Sequence, residues 1–444
     1  MDMFTTLDEF IDTKNEKPVF VLKGYAGTGK TTIVAALVKV LPLFNLKYVL
    51  IAPTGRAAKV ISQYAKKTAF TIHKKIYKTK GNEESGPVFK RIKNYHNNTL
   101  FIADEASMIS TSSDSGGSNL LSDLVDFVFE GKNNKLMLVG DLAQLPPVMQ
   151  EKSFALDGNY LGREYNVTIH ESTLTEITRQ AQDSGILSNA TYVRNLLIDS
   201  KKPLKFSTIN HPDIFKMTGE KLEDGLRYVY DKYGVENSLI ICRSNKNAVM
   251  YNHFIRNSLF FKEDELDAGD LLLIARNNYT FVDEQIPSGF IANGDFVEVR
   301  KIKRTEEMHG FRFADVEIVM ADIENAEPFE AKIMLDTLHT NVPAMSREDN
   351  QKLYKSVLID YVDLNKKAQS EALKKDKYLN ALQVKYAYAL TCHKSQGGQW
   401  DAVFVDQGYL NENYDDKEFI RWIYTAMTRA KKELFLVNFD TKFF

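Results

Sequence analysis

The stretch PVFVLKGYAGTGKTTIVAALVKVL, residues 18–41, carries the clearest structural signal in the chain. It begins with a run of apolar and β-branched residues, passes through a glycine-rich loop, and ends in a helical pattern. The loop GYAGTGKT, residues 24–31, fits the phosphate-binding pattern G-x-x-x-x-G-K-[ST], with the flanking strand and helix that this pattern requires. Backbone N–H groups of such a loop surround phosphate oxygens, and the helix N-terminus adds a partial positive charge. The stretch therefore predicts an α/β unit that binds a nucleotide.

Two side chains of this loop have expected roles beyond the backbone cradle. Lys30 is expected to reach the β- and γ-phosphates, and Thr31 is expected to place its hydroxyl on Mg²⁺. The nucleotide-binding residues predicted from the stretch are Gly24, Tyr25, Ala26, Gly27, Thr28, Gly29, Lys30, Thr31 and Thr32.

A second apolar run, TLFIADE at residues 99–105, ends in two adjacent carboxylates. Open α/β sheets bind their ligands at the C-terminal edge of the strands, which is where this pair is expected to lie. Asp104 is the expected partner of Mg²⁺, and Glu105 is expected to orient and deprotonate the attacking water. Together with the loop, the run predicts ATP hydrolysis with ATP and Mg²⁺ as cofactors.

The rest of the chain alternates short apolar runs with helical patterns. Most of these runs, such as KYVLIAPT, KLMLVGD and DAVFVD, have no period-2 alternation, which is typical of parallel strands covered on both faces. The chain is therefore predicted to be α/β. Two regions depart from this pattern. Residues 77–98 predict a small hairpin insert, and the alternating runs between about 269 and 319 predict a small antiparallel barrel.

Residues 365–384, NKKAQSEALKKDKYLNALQV, predict a charged helix after the barrel runs. A solvated face is one interpretation of its lysines, and a path for duplex is the other.

Composition limits the class of protein. A chain of 444 residues predicts two to four domains, and 44% hydrophobic with 26% charged residues is typical of a soluble globular protein. No membrane span or signal peptide is predicted, so a cytoplasmic setting is expected. Cys242 and Cys392 are the two cysteines, which argues against a disulfide framework and a cysteine-based zinc site. The net charge of −2 neither indicates nor excludes a nucleic-acid partner.

Six further motifs follow the chain in a fixed order with the two already described. They are IAPTGRAAK (51–59), TIHK (71–74), GDLAQLPPV (140–148), LTEITRQ (174–180), TCHKSQG (391–397) and YTAMTRA (424–430). In this order, over residues 21–437, the chain resembles the superfamily-1 helicases, and within them the RecD-like branch with its Dda-type and Pif-type members.

The resemblance implies two RecA-like P-loop NTPase domains with ATP in the cleft between them. The first domain, 1A, would span 1–181 and contain a strand-splitting hairpin, 1B, at 77–98. The second domain, 2A, would span 182–262 and 386–444. An SH3-like β-barrel, 2B, would interrupt it at 263–385.

The resemblance also implies roles for single residues. Gln144 would sense the γ-phosphate, and Arg179 and Arg429 would reach across the cleft as arginine fingers. Gly397 would line the nucleotide site. The predicted catalytic residues are therefore Lys30, Glu105, Gln144, Arg179 and Arg429. The implied DNA-binding residues are Pro53, Thr54, Gly55, Arg56, His73, Lys74, Ser244, Asn245, Thr391, His393, Lys394 and Ser395.

Adjacent Cys392 and His393 raise the question of a catalytic pair. If the stretch is extended, they point to opposite faces and cannot meet readily. Cys392 is then expected to pack as a small buried hydrophobe. Thr391, His393 and Ser395 would share the other face, where short polar donors suit phosphate contacts that do not read sequence.

The implied function is an ATP-dependent DNA helicase that moves 5′ to 3′ on single-stranded DNA and unwinds duplex or fork DNA. It would act as a monomer in DNA repair or recombination, with other replication or repair proteins as further partners. A nucleic-acid-independent P-loop NTPase or phosphotransferase is the alternative, and a regulatory nucleotide switch is a third hypothesis. The family usually carries an adenine-reading glutamine before the P-loop, but the first glutamine here is Gln63, so strict and relaxed nucleotide selectivity both stay open.

Overall fold

The computed structural model describes residues 3–83, 86–112, 119–176, 184–199, 202–278, 291–321, 323, 325–410 and 416–444. Within this part of the chain, no helix combines the length and the apolar character needed to cross a membrane.

The first part of the chain builds a parallel sheet with helices on both faces. The strands of this part of the chain are β1 (Pro18–Gly24), β2 (Lys47–Ala52), β3 (Ala69–Thr71), β4 (Tyr77–Glu83), β5 (Gly86–Arg91), β6 (Thr99–Ala103), β7 (Lys135–Gly140) and β8 (Thr168–Leu174). All of them except β4 and β5 belong to the parallel sheet. Its helices are α1 (Met3–Asp12), α2 (Lys30–Val40), α3 (Gly55–Ala65), α4 (Ile72–Ile76), α5 (Leu120–Glu130) and α6 (Gly158–Tyr165). Six strands pair in the order β3-β2-β6-β7-β1-β8, and every pairing is parallel.

Burial on both faces explains why β1 has no polar alternation. Phe20 and Leu22 pack into the core formed with α1, α2 and α3, whereas Val19 and Val21 pack into the core formed with α5 and α6. A strand of this kind must be apolar at consecutive positions. The sheet therefore holds the loop after β1 at the end of a strand that is buried from Pro18 to Leu22.

Strands β4 and β5 form an antiparallel pair inside the segment predicted to be a hairpin insert. The base of the pair is fixed to α5, because the Tyr77 hydroxyl donates a 2.5 Å hydrogen bond to the carboxylate of Asp123. Its function as a strand-splitting wedge stays a prediction.

A second parallel sheet has the strands β9 (Ile214–Met217), β10 (Ser238–Cys242), β16 (Ala389–Thr391), β17 (Trp400–Asp406) and β18 (Ala430–Val437). They pair in the order β16-β10-β17-β18-β9. The helices of this part are α7 (Gly185–Leu196), α8 (Leu222–Tyr233), α9 (Asn245–Phe254), α12 (Cys392–Ser395) and α13 (Asp416–Met427).

A closed barrel separates β10 from β16 along the chain. Its strands are β11 (Leu271–Ile274), β12 (Phe296–Met308), β13 (Phe311–Met320), β14 (Phe329–Met334) and β15 (Leu382–Tyr386), and helices α10 (Arg347–Ile359) and α11 (Lys366–Lys375) lie between β14 and β15. The α/β fold class with an inserted barrel is therefore confirmed.

Two details of the barrel differ from the prediction. The barrel is not purely antiparallel, because β14 and β15 pair in parallel. The helix predicted for 365–384 ends at Lys375, where the Asp376 carboxylate accepts hydrogen bonds from the backbone N–H groups of Tyr378 and Leu379. Residues 382–386 are instead a fully buried strand that closes the barrel. An apolar segment of this length fits either element, and only the distant barrel strands decide between them.

Candidate functional site

The predicted phosphate loop lies between the end of β1 and the start of α2. Gly27 and Gly29 have left-handed φ angles of 76° and 84°, which glycine adopts without steric cost. The Lys30 ammonium donates to the carbonyls of Gly24 and Tyr25 at 2.8 and 2.9 Å. Thr31 begins the first turn of α2 next to it. Neutral carbonyls hold the ammonium here, and a phosphate would offer it a charged acceptor.

The two carboxylates follow β6, two strands away from β1 in the same sheet. Asp104 is buried, and its pKa is raised to about 7 by this burial and then by the negative charge of Glu105, while Lys30 opposes the rise. Glu105 adopts a left-handed φ of 52°, which is strained for a residue other than glycine. Its Oε2 atom is buried without a hydrogen-bond partner. Adjacent buried carboxylates with an unsatisfied oxygen suit a divalent cation and a water.

The described residues contain no cluster of three or more histidine, cysteine, aspartate or glutamate residues that could hold a metal. A cation here would have Asp104, the Thr31 hydroxyl and nucleotide oxygens as ligands. Mg²⁺ is usually bound in this way, by one or two carboxylates plus phosphates, rather than by an all-protein cage. The donor set therefore fits Mg²⁺ bound together with a nucleotide.

The loop after β7 reaches the same edge of the sheet. Asp141 is fully buried, and its Oδ1 atom accepts a 2.9 Å hydrogen bond from the Ala143 N–H. Gln144 is buried nearby, and its side-chain oxygen has no hydrogen-bond partner. An unsatisfied buried amide costs free energy, and such groups recur at functional positions. Gln144 is therefore suited to respond to a ligand at this edge.

The second α/β domain contacts these loops through α13. Tyr424 accepts a 2.9 Å hydrogen bond from the Ala26 N–H and donates a 2.7 Å hydrogen bond to Asp141. The Thr425 hydroxyl accepts from the Leu145 N–H at 2.8 Å. The Gln396 amide donates to the Leu145 carbonyl at 2.9 Å. We call this set the cleft interface; it consists of Ala26, Asp141, Leu145, Gln396, Tyr424 and Thr425.

Gln396, Tyr424 and Thr425 lie inside predicted motifs but were not among the predicted site residues. The signal that could have found them is their place inside YTAMTRA and TCHKSQG. Burial raises the pKa of Tyr424 well above its ordinary value, so its hydroxyl stays protonated and donates to Asp141.

The predicted arginine fingers have different outcomes. Arg179 lies outside the described residues. Arg429 is buried, and its guanidinium donates to the Thr425 carbonyl at 3.0 Å, the Gly398 carbonyl at 3.2 Å and the Thr428 hydroxyl at 3.1 Å, all within the second domain. Its action on a nucleotide stays a prediction, since it would have to exchange these contacts for a phosphate.

Two other arginines of the second domain reach the first domain in this conformation. The Arg194 guanidinium lies 4.0 Å from the ring centroid of Tyr25 in the phosphate loop. Arg421 donates a 2.7 Å hydrogen bond to the Glu151 carbonyl and lines a cavity of about 640 Å³ together with Gln144. Neither residue was singled out from the sequence.

Several predicted DNA-binding residues lie where strands end and helices begin. Thr54 caps α3, because its hydroxyl accepts from the Ala57 N–H at 3.2 Å, and Ser244 caps α9 through Asn247 at 3.1 Å. Pro53 precedes Thr54, and Asn245 is the first residue of α9. His73 and Lys74 lie on α4 just after β3. These ends belong to neighbouring strands, since β2 pairs with β3 and β10 with β16.

Gly55 and Arg56 have a different environment, because α3 begins against the barrel. A Cβ atom on Gly55 would lie 2.4 Å from the Ala292 Cβ. The Arg56 guanidinium lies 4.4 Å from the ring centroid of Phe296 and 4.0 Å from that of Trp400. The Lys59 ammonium forms a 3.0 Å ion pair with Asp295, whose side chain is fully buried. We call this set the barrel interface; it consists of Gly55, Arg56, Lys59, Ala292, Asp295, Phe296 and Trp400.

This placement gives Gly55 and Arg56 a packing role in this conformation, and their contact with DNA stays a prediction. Gly397 likewise lies against α3, since a Cβ atom there would be 3.0 Å from the Ala57 Cβ and 3.2 Å from the Thr54 hydroxyl oxygen. Its φ of 75° requires glycine. Its contact with a nucleotide stays a prediction too.

Residues 392–395 are not extended, so the condition under which Thr391, His393 and Ser395 would share one face is not met. Cys392–Ser395 form the short helix α12, and the Ser395 hydroxyl is buried and donates to the Cys392 carbonyl at 2.8 Å. The alternating faces of a strand therefore do not apply. Burial of Cys392 is confirmed, and it raises the pKa of the thiol to about 12.

Thr391 precedes this turn, and two basic side chains lie on it. Burial lowers the pKa of His393, so its ring is neutral at pH 7. Burial also lowers the pKa of Lys394 to about 8, and its ammonium donates to the Pro343 carbonyl at 3.3 Å. A weakly satisfied, partly desolvated ammonium suits an anionic ligand.

Comparisons with known proteins cover both α/β domains. Residues 386–437 match the family model described as UvrD-like helicase C-terminal domain, and residues 11–196 match an AAA domain model. An uncharacterised protein, R530, of Acanthamoeba polyphaga mimivirus is 25% identical over 96% of this chain and 96% of its own length. The ATP-dependent DNA helicase dda of Enterobacteria phage T4 is 22% identical over 96% of this chain and 95% of its own. A structure of Pif1 helicase from Bacteroides matches with a TM-score of 0.50 and 16% identity, covering 100% of this chain and 93% of that chain.

Proposed function

We infer that this chain is a superfamily-1 helicase of the Pif1, RecD and Dda type, and that it uses ATP hydrolysis to move 5′ to 3′ along single-stranded DNA and to unwind duplex DNA. The observation that carries this proposal is the cleft interface. A helix of the second domain donates to and accepts from the phosphate loop and the loop after β7. Occupancy of the nucleotide site can therefore change how the two domains are held together.

The residues around the P-loop have complementary roles in hydrolysis. The backbone N–H groups of residues 24–32 and the Lys30 ammonium bind and orient the phosphates. Thr31 and Asp104 would hold Mg²⁺, which supplies positive charge next to the γ-phosphate. Glu105 accepts a proton from the attacking water, since it lies beside Asp104 with a free buried oxygen. Gln144 senses the γ-phosphate, and Arg179 and Arg429 stabilise charge on it.

Hydrolysis drives motion because the same loops carry the contacts between domains. ATP binding closes the cleft, and hydrolysis with phosphate release weakens the contacts and reopens it. Single-stranded DNA lies across the strand ends that carry Thr54, His73, Ser244 and Thr391, where the contacts are to phosphates and not to bases. The hairpin β4–β5 keeps the strands of the duplex apart.

A relative supports this arrangement of ligands. The Bacteroides Pif1 structure was obtained in complex with ADP-AlF3 and single-stranded DNA. In the proposal, the same two ligands bind this chain at the cleft and across the strand ends. The protein acts as a monomer in the cytoplasm on forked DNA, together with replication or repair proteins.

The test compares ATP hydrolysis with and without single-stranded DNA, and unwinding of duplexes with a 5′ or a 3′ tail. We expect DNA to stimulate hydrolysis strongly and only the 5′-tailed duplex to be unwound. Lys30→Ala is the control and should abolish both activities, because the loop loses its phosphate-binding cation. Hydrolysis that ignores DNA would support the P-loop NTPase or phosphotransferase alternative, and wild-type hydrolysis by the Lys30→Ala variant would contradict the site itself.

A further inference from the structure

A groove on the barrel has a local excess of positive charge. It lies between the strands β12, β13 and β14 and the helix α11, and it has a volume of about 960 Å³. Its basic lining residues are Lys303, Arg304, Lys332, Lys374, Lys375 and Lys377, and its acidic lining residues are Asp315 and Glu330. The whole chain has a net charge of −2, so this concentration is a local feature. Clustered Lys and Arg on one face are the electrostatic signature of a polyanion partner.

The two walls of the groove differ in how their charges are balanced. On the barrel wall, Lys303 pairs with Glu330, and Arg304 pairs with Asp315 at 2.6 Å. On the helix wall, the described residues place no carboxylate within ion-pair distance of the exposed ammonium groups, which belong to Lys374, Lys375 and Lys377. Among the described residues, carboxylates therefore pair with the cations of the barrel wall, whereas the ammonium groups of the helix wall are exposed.

The position of α11 indicates which part of a nucleic acid the groove would meet. The Cα atoms of α11 approach those of β4 to within 8 Å, so the groove lies beside the hairpin proposed to separate the strands. It is built by the barrel, whereas the strand ends proposed to bind single-stranded DNA belong to the two parallel sheets. DNA that reaches the hairpin from this side has not yet been separated.

The end of α11 carries the free-standing positive charge. Lys374 and Lys375 are its last two residues, and Lys377 follows two positions later, so the three exposed ammonium groups form one short cluster. Lysine ammonium groups act as point charges on flexible stems, so they fit phosphates without reading bases. An open, exposed cluster suits the closely spaced phosphates of a duplex backbone better than an enclosed anionic group.

We propose that this groove binds the sugar–phosphate backbone of the unseparated duplex ahead of the hairpin, through Lys374, Lys375 and Lys377. The inference rests on the proposed helicase function and adds a second DNA contact to it. The groove holds the duplex against the hairpin while the two domains pull on one strand. Binding there is independent of sequence and sensitive to salt.

The test uses the full-length protein with Lys374, Lys375 and Lys377 changed together to glutamine. Lys202, Lys221 and Lys442, exposed lysines of the second α/β domain, are changed to glutamine as the matched control. Binding to a short blunt duplex and to oligo(dT) is measured by fluorescence anisotropy at several salt concentrations without nucleotide. Unwinding of a 5′-tailed fork and DNA-stimulated hydrolysis are measured in parallel.

We expect the groove variant to bind duplex about tenfold more weakly. The slope of log affinity against log salt should decrease by about 0.9 for each phosphate that the lysines no longer neutralise. Fork unwinding should slow. Oligo(dT) binding and DNA-stimulated hydrolysis should stay within about twofold of the wild-type values, because the strand ends proposed to bind single-stranded DNA are unchanged. The control variant should keep its duplex affinity.

Three results would overturn the proposal. They are unchanged duplex binding, an equal loss on oligo(dT), and the same loss in the control variant. Loss of polyglutamate binding with duplex binding intact would instead identify an acidic peptide as the occupant. If the proposed function itself fails, the wild-type protein hydrolyses ATP without stimulation by DNA. The duplex titration needs no hydrolysis, so it still tests the groove in that case.

Discussion

Two of the interfaces between the first α/β domain and the rest of the molecule differ in chemistry. The cleft interface consists of single hydrogen bonds, several of them to backbone groups of the phosphate loop and the loop after β7. The barrel interface contains a guanidinium that packs on two aromatic rings and an ion pair with a fully buried carboxylate. A typical hydrogen bond contributes about 1 kcal/mol net, whereas removing one partner of a buried ion pair costs about 3–5 kcal/mol.

This difference indicates which interface opens during the reaction. The hydrogen bonds of the cleft interface can break and re-form with water as the nucleotide changes. The barrel interface contains desolvated charge and close packing at Gly55, so separating it is costly. We therefore expect the first domain to rotate about the barrel interface while the cleft interface opens and closes.

Removal of the buried carboxylate should destabilise the protein most. Asp295→Ala removes the carboxylate that pairs with Lys59 and that accepts from the Ala292 N–H, so we expect the free energy of unfolding to fall by about 3–5 kcal/mol. Urea unfolding measures this change. The control is Glu223→Ala, which breaks an exposed pair with Arg227 and should cost about 0.3–0.5 kcal/mol. A loss below about 1 kcal/mol for Asp295→Ala would remove the distinction between the two interfaces.

Loss of one hydroxyl at the cleft interface should affect catalysis more than stability. Tyr424→Phe removes a donor from buried Asp141 and an acceptor from the Ala26 N–H. Hydrogen bonds to charged groups contribute about 1.5–3 kcal/mol, so kcat/KM for DNA-stimulated hydrolysis should fall about tenfold or more. The matched control is Tyr192→Phe, whose hydroxyl contacts the Pro203 carbonyl on the surface. Normal DNA stimulation in the Tyr424→Phe variant would mean that the cleft interface does not transmit nucleotide occupancy.

Substitutions of Arg56 distinguish a packing role of its guanidinium from a contact with DNA. Arg56→Ala should lower the free energy of unfolding by about 1–2 kcal/mol, because no cation then packs on the two aromatic rings. Arg56→Lys keeps the charge but not the planar group, and should recover only part of this stability. The salt dependence of single-stranded DNA binding should not change in either variant. A slope smaller by about 0.7 in Arg56→Ala alone would restore the DNA contact that the motif predicted.

The predictability of the fold depended on how local each signal is. The strand, loop and helix of residues 18–41 were predicted because their apolar run, glycines and helical pattern lie within one short stretch. The strand at 382–386 and the turn at 392–395 were not, because both are short and take their conformation from distant partners. For example, the strand at 382–386 pairs with β11, where Leu272 lies opposite Tyr386.

The site follows the same rule. Lys30, Asp104 and Glu105 were found from their position at strand ends. The Tyr424–Asp141 hydrogen bond joins residues 283 positions apart, and no periodicity encodes such a contact. The same holds for Arg56, whose motif predicted DNA while its neighbours in space are Phe296 and Trp400. A motif identifies which residues matter, but the side that each one faces is decided by domain packing.

The smallest expected effect is a pH dependence of Mg²⁺ binding. It tests the nucleotide site, which lies next to the cleft interface. Burial and the charge of Glu105 raise the pKa of Asp104 to about 7, so its carboxylate is protonated below that pH and charged above it. Because Mg²⁺ requires the carboxylate, its apparent affinity with bound ATP should fall by up to tenfold for each pH unit below 7. Titrations of Mg²⁺ at pH 6, 7 and 8 measure this.

The stability of the nucleotide-free protein should respond in a defined direction. A carboxyl whose pKa is raised by folding binds more protons in the folded state, so the free energy of unfolding should decrease as the pH rises from about 4 to about 7. Asp104→Asn removes this titration and is the control for both measurements. Asp295 belongs to the barrel interface and not to the cation site, so Asp295→Ala should leave the pH dependence of Mg²⁺ binding unchanged. A pH-independent affinity in the wild type would show that Asp104 does not bind the cation, and the cleft would then need another ligand for it.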